Sequence, residues 1–150
     1  MNTLNHILGA LGRCLLGLYF LIPGISKVTG FEANAAYMEL HGMVFVPFFL
    51  VVTLVLQIGG GLFLIAGYKV RLTALMFAAM TLVINIVMHD FWNVYEGLSQ
   101  GHETQNFVKN LAIMAGLLVL GSVQGDQPLS LDKRLSQQSG EQKSQLAGTH

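Results

Sequence analysis

From Val44 to Gly67 the chain carries no charged side chain, and that one run limits what it can fold into. About 20 mostly apolar residues in a helix cross the roughly 30 Å hydrocarbon core of a bilayer. Three more stretches share this character: Ile7 to Ser26, broken only by Arg13; Leu72 to His89; and Asn110 to Val123, whose helix is expected to begin a turn earlier, near Asn106. Composition agrees, since 53% of the 150 residues are hydrophobic and 11% charged, against roughly 25% charged in a soluble domain. Eight Lys and Arg balance eight Asp and Glu, leaving no excess for a disordered or nucleic-acid-binding chain. A single cysteine, Cys14, excludes an internal disulfide and a cysteine-based zinc site.

The expected fold is all-α: a multi-pass transmembrane four-helix bundle with spans at about 7–27, 44–68, 71–90 and 106–123. Residues 1–124 make the membrane domain and 125–150 a polar, mobile tail. The lipid bilayer is the first partner. The first span has no basic segment before it and no small-x-small cleavage pattern after it, so it reads as a retained helix and not a signal peptide. Pro23 predicts a kink there, whereas Pro47 sits where a first turn tolerates proline.

Sorting charge by loop orients the helices. Arg13, Lys69, Arg71, Lys133, Arg134 and Lys143 fall on the side that holds both termini, and Lys27 and Lys109 on the other. The positive-inside rule predicts N-in/C-in topology with a cytoplasmic tail. Net charge is then +3 inside and −3 outside, because Glu32, Glu39, Asp90, Glu96 and Glu103 lie outside. Trp92 and Tyr95 in the third loop suit an interfacial aromatic belt.

Helical spacing predicts one stripe of small and polar residues on each span. These are Gly9, Arg13, Gly17, Gly24 and Lys27; Thr53, Gln57, Gly60 and Gly61; Ala74, Ala78, Thr81, Asn85 and His89; and Gln105, Lys109, Ala112 and Gly116. Small stripes let backbones approach where lipid gives no hydrophobic drive to associate. For the glycines and alanines, packing alone accounts for the pattern. The polar members need more, because an ionisable side chain in a membrane is costly.

Arg13 and Gln57 form a candidate intramembrane polar pair; alternatively Arg13 snorkels to the cytoplasmic headgroups. Near the outer face Lys27, His89, Asp90 and Lys109 gather, with Asn85 a turn deeper and Asn106 and Asn110 beside Lys109. Lys27, Asn85, His89, Lys109 and Asn110 are the candidate ligand-binding set. Ammonium, imidazole and amide groups together suit a head group bearing carbonyls or negative charge, such as a quinone, and His89 can exchange a proton near neutral pH. The competing reading makes Lys27 and Lys109 interfacial anchors and His89 a helix cap. The five histidines show no ligand spacing for a metal. Gly59-Gly60-Gly61 lies within an apolar span and is not a phosphate loop, and no catalytic residues are assigned, for want of a nucleophile elbow or Cys-x-x-Cys.

The run Arg13-Cys-Leu-Leu-Gly17-Leu-Tyr-Phe20-Leu-Ile-Pro-Gly24-Ile-Ser-Lys27 resembles the opening signature of the DoxX family of small bacterial membrane proteins. Gln57-Ile-Gly-Gly60-Gly-Leu-Phe-Leu-Ile-Ala-Gly67 with Arg71 is similar to that family's second motif, and His89 and Phe107-Val-Lys109-Asn110-Leu-Ala fit in order. The family's second motif usually begins with Glu, where this chain has Gln57. The resemblance implies a four-helix protein of the bacterial inner membrane, and some relatives, including DoxD-related subunits of thiosulfate:quinone oxidoreductase, belong to membrane oxidoreductase assemblies.

Three functional readings follow from these features. The first is a membrane subunit of a redox system that binds a quinone and works with an oxidoreductase partner. The second is a non-enzymatic scaffold or envelope-stress factor for a partner enzyme. The third is a small-solute transport subunit, which four glycine-rich helices accommodate only as a homo-oligomer.

Overall fold

The computed structural model describes residues 3–123 and 129–147, with side chains through residue 141. The start of the polar tail at 125, Pro128 and the Lys143 side chain therefore lie outside the described residues. Among the described residues the chain forms six helices and no strand: α1 (Thr3–Thr29), α2 (Phe31–Leu40), α3 (Val46–Ala66), α4 (Val70–Met88), α5 (Gln100–Ser122) and α6 (Leu131–Ala147). Three of them, α1, α3 and α4, are long and apolar enough to cross a membrane.

The helices pack as two close pairs, α1 with α3 and α4 with α5, joined where α3 meets α4. Glycine sets the first pair. A Cβ placed on Gly17 would stand 2.8 Å from the Gly61 carbonyl oxygen, and one on Gly61 would stand 2.9 Å from that of Gly17. Gly24 faces Gln57 and Ile58 further along, so α1 and α3 run antiparallel. The stripes expected on α1, α3 and α4 are inward-facing here, with Arg13, Gly17, Gly24, Gln57, Gly60, Gly61, Ala74, Ala78, Thr81 and Asn85 all buried. Large apolar side chains take the outside: Leu15 and Ile22 on α1, Val55 and Leu62 on α3, Leu72 and Val83 on α4, Leu118 and Val119 on α5 are all exposed. A soluble fold reverses that arrangement, whereas lipid accepts it.

Polar contacts rotate α5 away from the face expected for it. Gln105, Lys109 and Ala112 are exposed, and the buried line is Glu103, Asn110, Leu117 and Gly121. Asn110 Nδ2 donates to Asn85 Oδ1 at 2.9 Å, and Glu103 Oε2 lies 2.7 Å from His89 Nδ1. Asn85 on α4 and His89 just beyond its end outweigh the small residues in setting the rotation, since Asn110 and Glu103 are buried and a buried group left unpaired is costly.

Two helices lie outside the expected spans. In α2, Met38 packs with Val46, Leu50 and Met88, closing the end of the bundle where α3 begins and α4 ends. At the opposite end α6 is tied in by its first turn. Lys69 N–H and Val70 N–H at the start of α4 donate to the Asp132 carboxylate at 2.9 and 3.3 Å, an anion at the positive end of a helix dipole. Gly67 sits at this junction with φ +72 and would bring a Cβ within 2.5 Å of Ser130. Its N–H and that of Tyr68 turn back to Leu64 and Phe63 carbonyls, a Schellman ending that stops α3.

Candidate functional site

Between the helices lies a cavity of about 460 Å³. Residues of α1, α3, α4 and α5 form its walls, and Asn34, Tyr37 and Met38 bring α2 over its outer end. Most of the wall is apolar, including Phe20, Met80, Ile84 and Val87, and the ionisable side chains Lys27, His89 and Lys109 collect at one end. Ligand sites commonly combine such a lining with a few placed polar groups.

Four of the five candidate residues, Lys27, His89, Lys109 and Asn110, line this cavity, as does Asn106. Lys109 stands at the rim, exposed, its ammonium donating to Asn106 Oδ1 at 2.9 Å. Asn85 lies behind the wall, where its amide donates to the Phe107 carbonyl at 3.0 Å and accepts from Asn110. Tyr19 O–H completes this line by donating to Asn110 Oδ1 at 2.9 Å.

The remaining polar candidates separate. Asp90 turns into the third loop and accepts from Asn93 Nδ2 at 2.6 Å and Tyr95 O–H at 2.7 Å. Arg13 and Gln57 are not brought together. The Arg13 guanidinium packs against Gly67 and donates to the Leu129 carbonyl at 2.9 Å, whereas Gln57 packs against Gly24, about 15 Å along the helix axis from Gly67.

Glu103, buried at 6% exposure, is the residue that sequence reasoning left among the outer-loop charges. One carboxylate oxygen meets His89 Nδ1, and the other accepts from Tyr37 O–H at 3.2 Å. Tyr37 also reaches the Met88 carbonyl. Burial pushes the Tyr37 hydroxyl well above its ordinary range and the Glu103 charge adds to the shift, so it stays protonated and donating. Glu103 thereby holds the cavity-lining His89 ring through Nδ1 and leaves Nε2 outside this contact. The detectable signal was spacing: Glu103 stands seven residues before Asn110, on the same helix face.

A second cluster covers the loop. The His41 ring packs between Tyr37 and Tyr95, and its Nε2 lies 3.6 Å from Asp90 Oδ1. Burial opposes the Asp90 charge, but hydrogen bonds from Asn93 and Tyr95 outweigh it and hold the carboxyl below its ordinary value of 3.8. A carboxyl depressed on folding contributes stability above its unfolded value and loses it as pH falls through the folded one. We therefore expect the thermal stability of the wild-type protein to fall off below about pH 4. Asp90→Asn should flatten that acid limb in pH-dependent melts, and an unchanged limb would remove Asp90 from the account.

Comparison with known proteins is consistent with this architecture. The chain is 32% identical to inner membrane protein YqjF of Escherichia coli (strain K12) over 137 residues, covering 91% of this chain and 98% of that one. It is 28% identical to inner membrane protein YphA of the same organism, covering 89% of this chain and 100% of that one. No solved structure matches. The DoxX family model matches residues 8–90, which include the α1–α3 glycine contact, Gln57 and His89. The chain is a membrane protein that belongs to the DoxX family.

Proposed function

We propose that this protein is a bacterial inner-membrane subunit of a redox system and binds a quinone-type ligand in the cavity. The observation that carries the reading is the cavity itself, apolar along most of its wall, with Lys27, His89 and Lys109 at one end. In this reading α5 is the fourth span, with Val108, Leu111, Leu118 and Val119 facing lipid. Both termini and the α3–α4 link lie in the cytoplasm, following the distribution of Lys and Arg. Residues 1–124 form the membrane domain, and 125–150 the cytoplasmic tail. The relatives' names as inner membrane proteins support the choice of membrane.

The donor set fits such a ligand. Lys27 and Lys109 offer N–H donors to carbonyl oxygens, and the surrounding Met, Ile and Val side chains accept a ring and its tail. Glu103 fixes the His89 ring through Nδ1, and Nε2 is the ring atom left to give a proton to the ligand or take one from it. A bound quinone supplies the electron chemistry; the chain supplies the site, its orientation and a proton carrier.

Protein purified in mild detergent is expected to retain a lipid quinone, identified after solvent extraction. Replacing Lys27 and His89 with Leu and Lys109 with Gln together should weaken quinone binding by at least about tenfold, the worth of one charge-assisted hydrogen bond. A preparation that neither retains nor binds quinone, or a triple variant that binds as before, overturns the reading. A stable soluble partner that co-purifies without quinone would instead favour a scaffold.

A further inference from the structure

Inward from the ionisable group, the cavity wall holds two polar side chains that are more than nine-tenths buried, Gln57 at 5% exposure and Thr81 at 3%. Neither Gln57 Oε1 nor Thr81 Oγ1 has a hydrogen-bond partner among the described residues. Buried polar atoms are rarely left so, and the exceptions ask what pairs them. The helix register sets them level. A Cβ on Gly60 would meet the Phe77 ring, and one turn outward along the antiparallel pair α3 and α4 come Gln57 and Thr81. Beneath them Phe20 stacks on Phe77, ring centroids 3.8 Å apart and planes within 8°, giving the deep end an aromatic floor. Lys27 follows Gly24, the residue packed on Gln57, by three positions, about 4.5 Å outward along α1.

The chemistry of these atoms discriminates between ligands. A carboxamide oxygen accepts only, so its partner must bring a hydrogen; the amide nitrogen and the threonine hydroxyl can also donate, so the orphaned Gln57 oxygen is the atom that separates the ligands. Quinone carbonyls bring none, whereas a hydroquinone brings an O–H at each end of its ring. We propose that Gln57 and Thr81 form a hydroxyl-recognition pair, and that the cavity selects the reduced, dihydroxy form of an aromatic ring over its oxidised and O-methylated forms. This assignment rests on the reading of the cavity as a quinone-type site and adds which redox form it prefers. Sites built to pair a substrate hydroxyl reject analogues that lack it, because the buried partners are then left unpaired.

Anaerobic calorimetric titration of the intact protein in mild detergent with menadiol, menadione and the dimethyl ether of menadiol tests the proposal. Menadiol should bind at least about tenfold more tightly than either of the other two. Gln57→Met should shrink those ratios, leaving menadione within about twofold of its wild-type affinity, and Thr81→Val, which removes an acceptor for the diol and a donor for the ketone, should weaken menadiol more than menadione. Thr81→Val is nearly isosteric and reports even if the Gln57 variant fails to fold. Equal binding of the diol and its ether, tighter binding of menadione, or ratios untouched by both variants overturn the selection while leaving a ring-binding cavity. Binding of none of the three probes overturns the underlying reading as well.

Discussion

Gly61→Ala should loosen the contact between α1 and α3 and destabilise the protein by about 1–3 kcal/mol, the usual cost of forcing extra volume into a packed interface. Gly59→Ala, two residues away, should be neutral or slightly stabilising. Elsewhere an alanine stabilises a helix relative to glycine by about 0.5–1 kcal/mol, and nothing lies within 4 Å of a Cβ at Gly59. At Gly61 the added carbon would meet the Gly17 carbonyl oxygen at 2.9 Å and Leu21 Cβ at the same distance. A backbone carbonyl cannot swing aside as a side-chain end can. The helices must therefore separate, and without a hydrophobic drive between them in lipid little compensates for lost contact. Melting of both variants in detergent checks the contrast; equal melting temperatures would show that close backbone approach does not hold this pair.

Asn85→Leu is the second substitution with a large expected effect. Asn85 is 1% exposed and joins α4 to α5 twice, through the Phe107 carbonyl and the Asn110 amide. Leucine there removes one partner and leaves the other, and an unpaired buried polar group costs about 1–3 kcal/mol. Asn85→Leu/Asn110→Leu should cost less than the two single changes summed, because removing both partners leaves no orphan between them. Tyr19, which loses its acceptor in the double variant, lines the cavity and can turn its hydroxyl there. A double-mutant cycle in detergent reads the coupling; strict additivity would mean that the two amides act independently.

These two sites also mark how far the amino-acid order alone reveals the fold. Small and polar residues at helical spacing identified the inward faces of α1, α3 and α4, since most exposed positions there are large and apolar. On α5 that pattern misleads by one residue: Lys109 and Ala112 share a small and polar stripe, but the hydrogen bonds of Asn110 and Glu103 decide the rotation. Along Phe31–Leu40 apolar and polar residues do not separate onto faces, so the packing of Met38 and Tyr37 reveals α2 where the sequence does not. The first turn of α6 is likewise tied through Asp132 to the start of α4, a tertiary contact between residues far apart in sequence.

The site divides in the same way. Lys27, His89 and Lys109 were conspicuous because charge is rare near a bilayer. Glu103, Tyr37 and His41 were not, because acidic and aromatic residues are ordinary in a loop or at a helix end. Only the fold brings Glu103 to His89 and Tyr37 across to Glu103. Gln57 was visible but assigned to the wrong neighbour. Its depth matched a reach from Arg13, yet the antiparallel register puts Gly24 opposite it, and its oxygen has no hydrogen-bond partner among the described residues.

Putting most large apolar residues outside, with small and polar ones packed inside beside the buried Phe20, Leu64, Phe77 and Leu117, redraws the usual map of mutational tolerance. In a water-soluble domain the surface accepts change and the greasy interior resists it. Here Leu15, Val55, Val83 and Val119 face outward and can be traded among aliphatic types at little cost. Among the positions that cannot drift are the closely packed glycines and the buried uncharged amides, residue types that a substitution scan tuned to soluble proteins would rank as most replaceable.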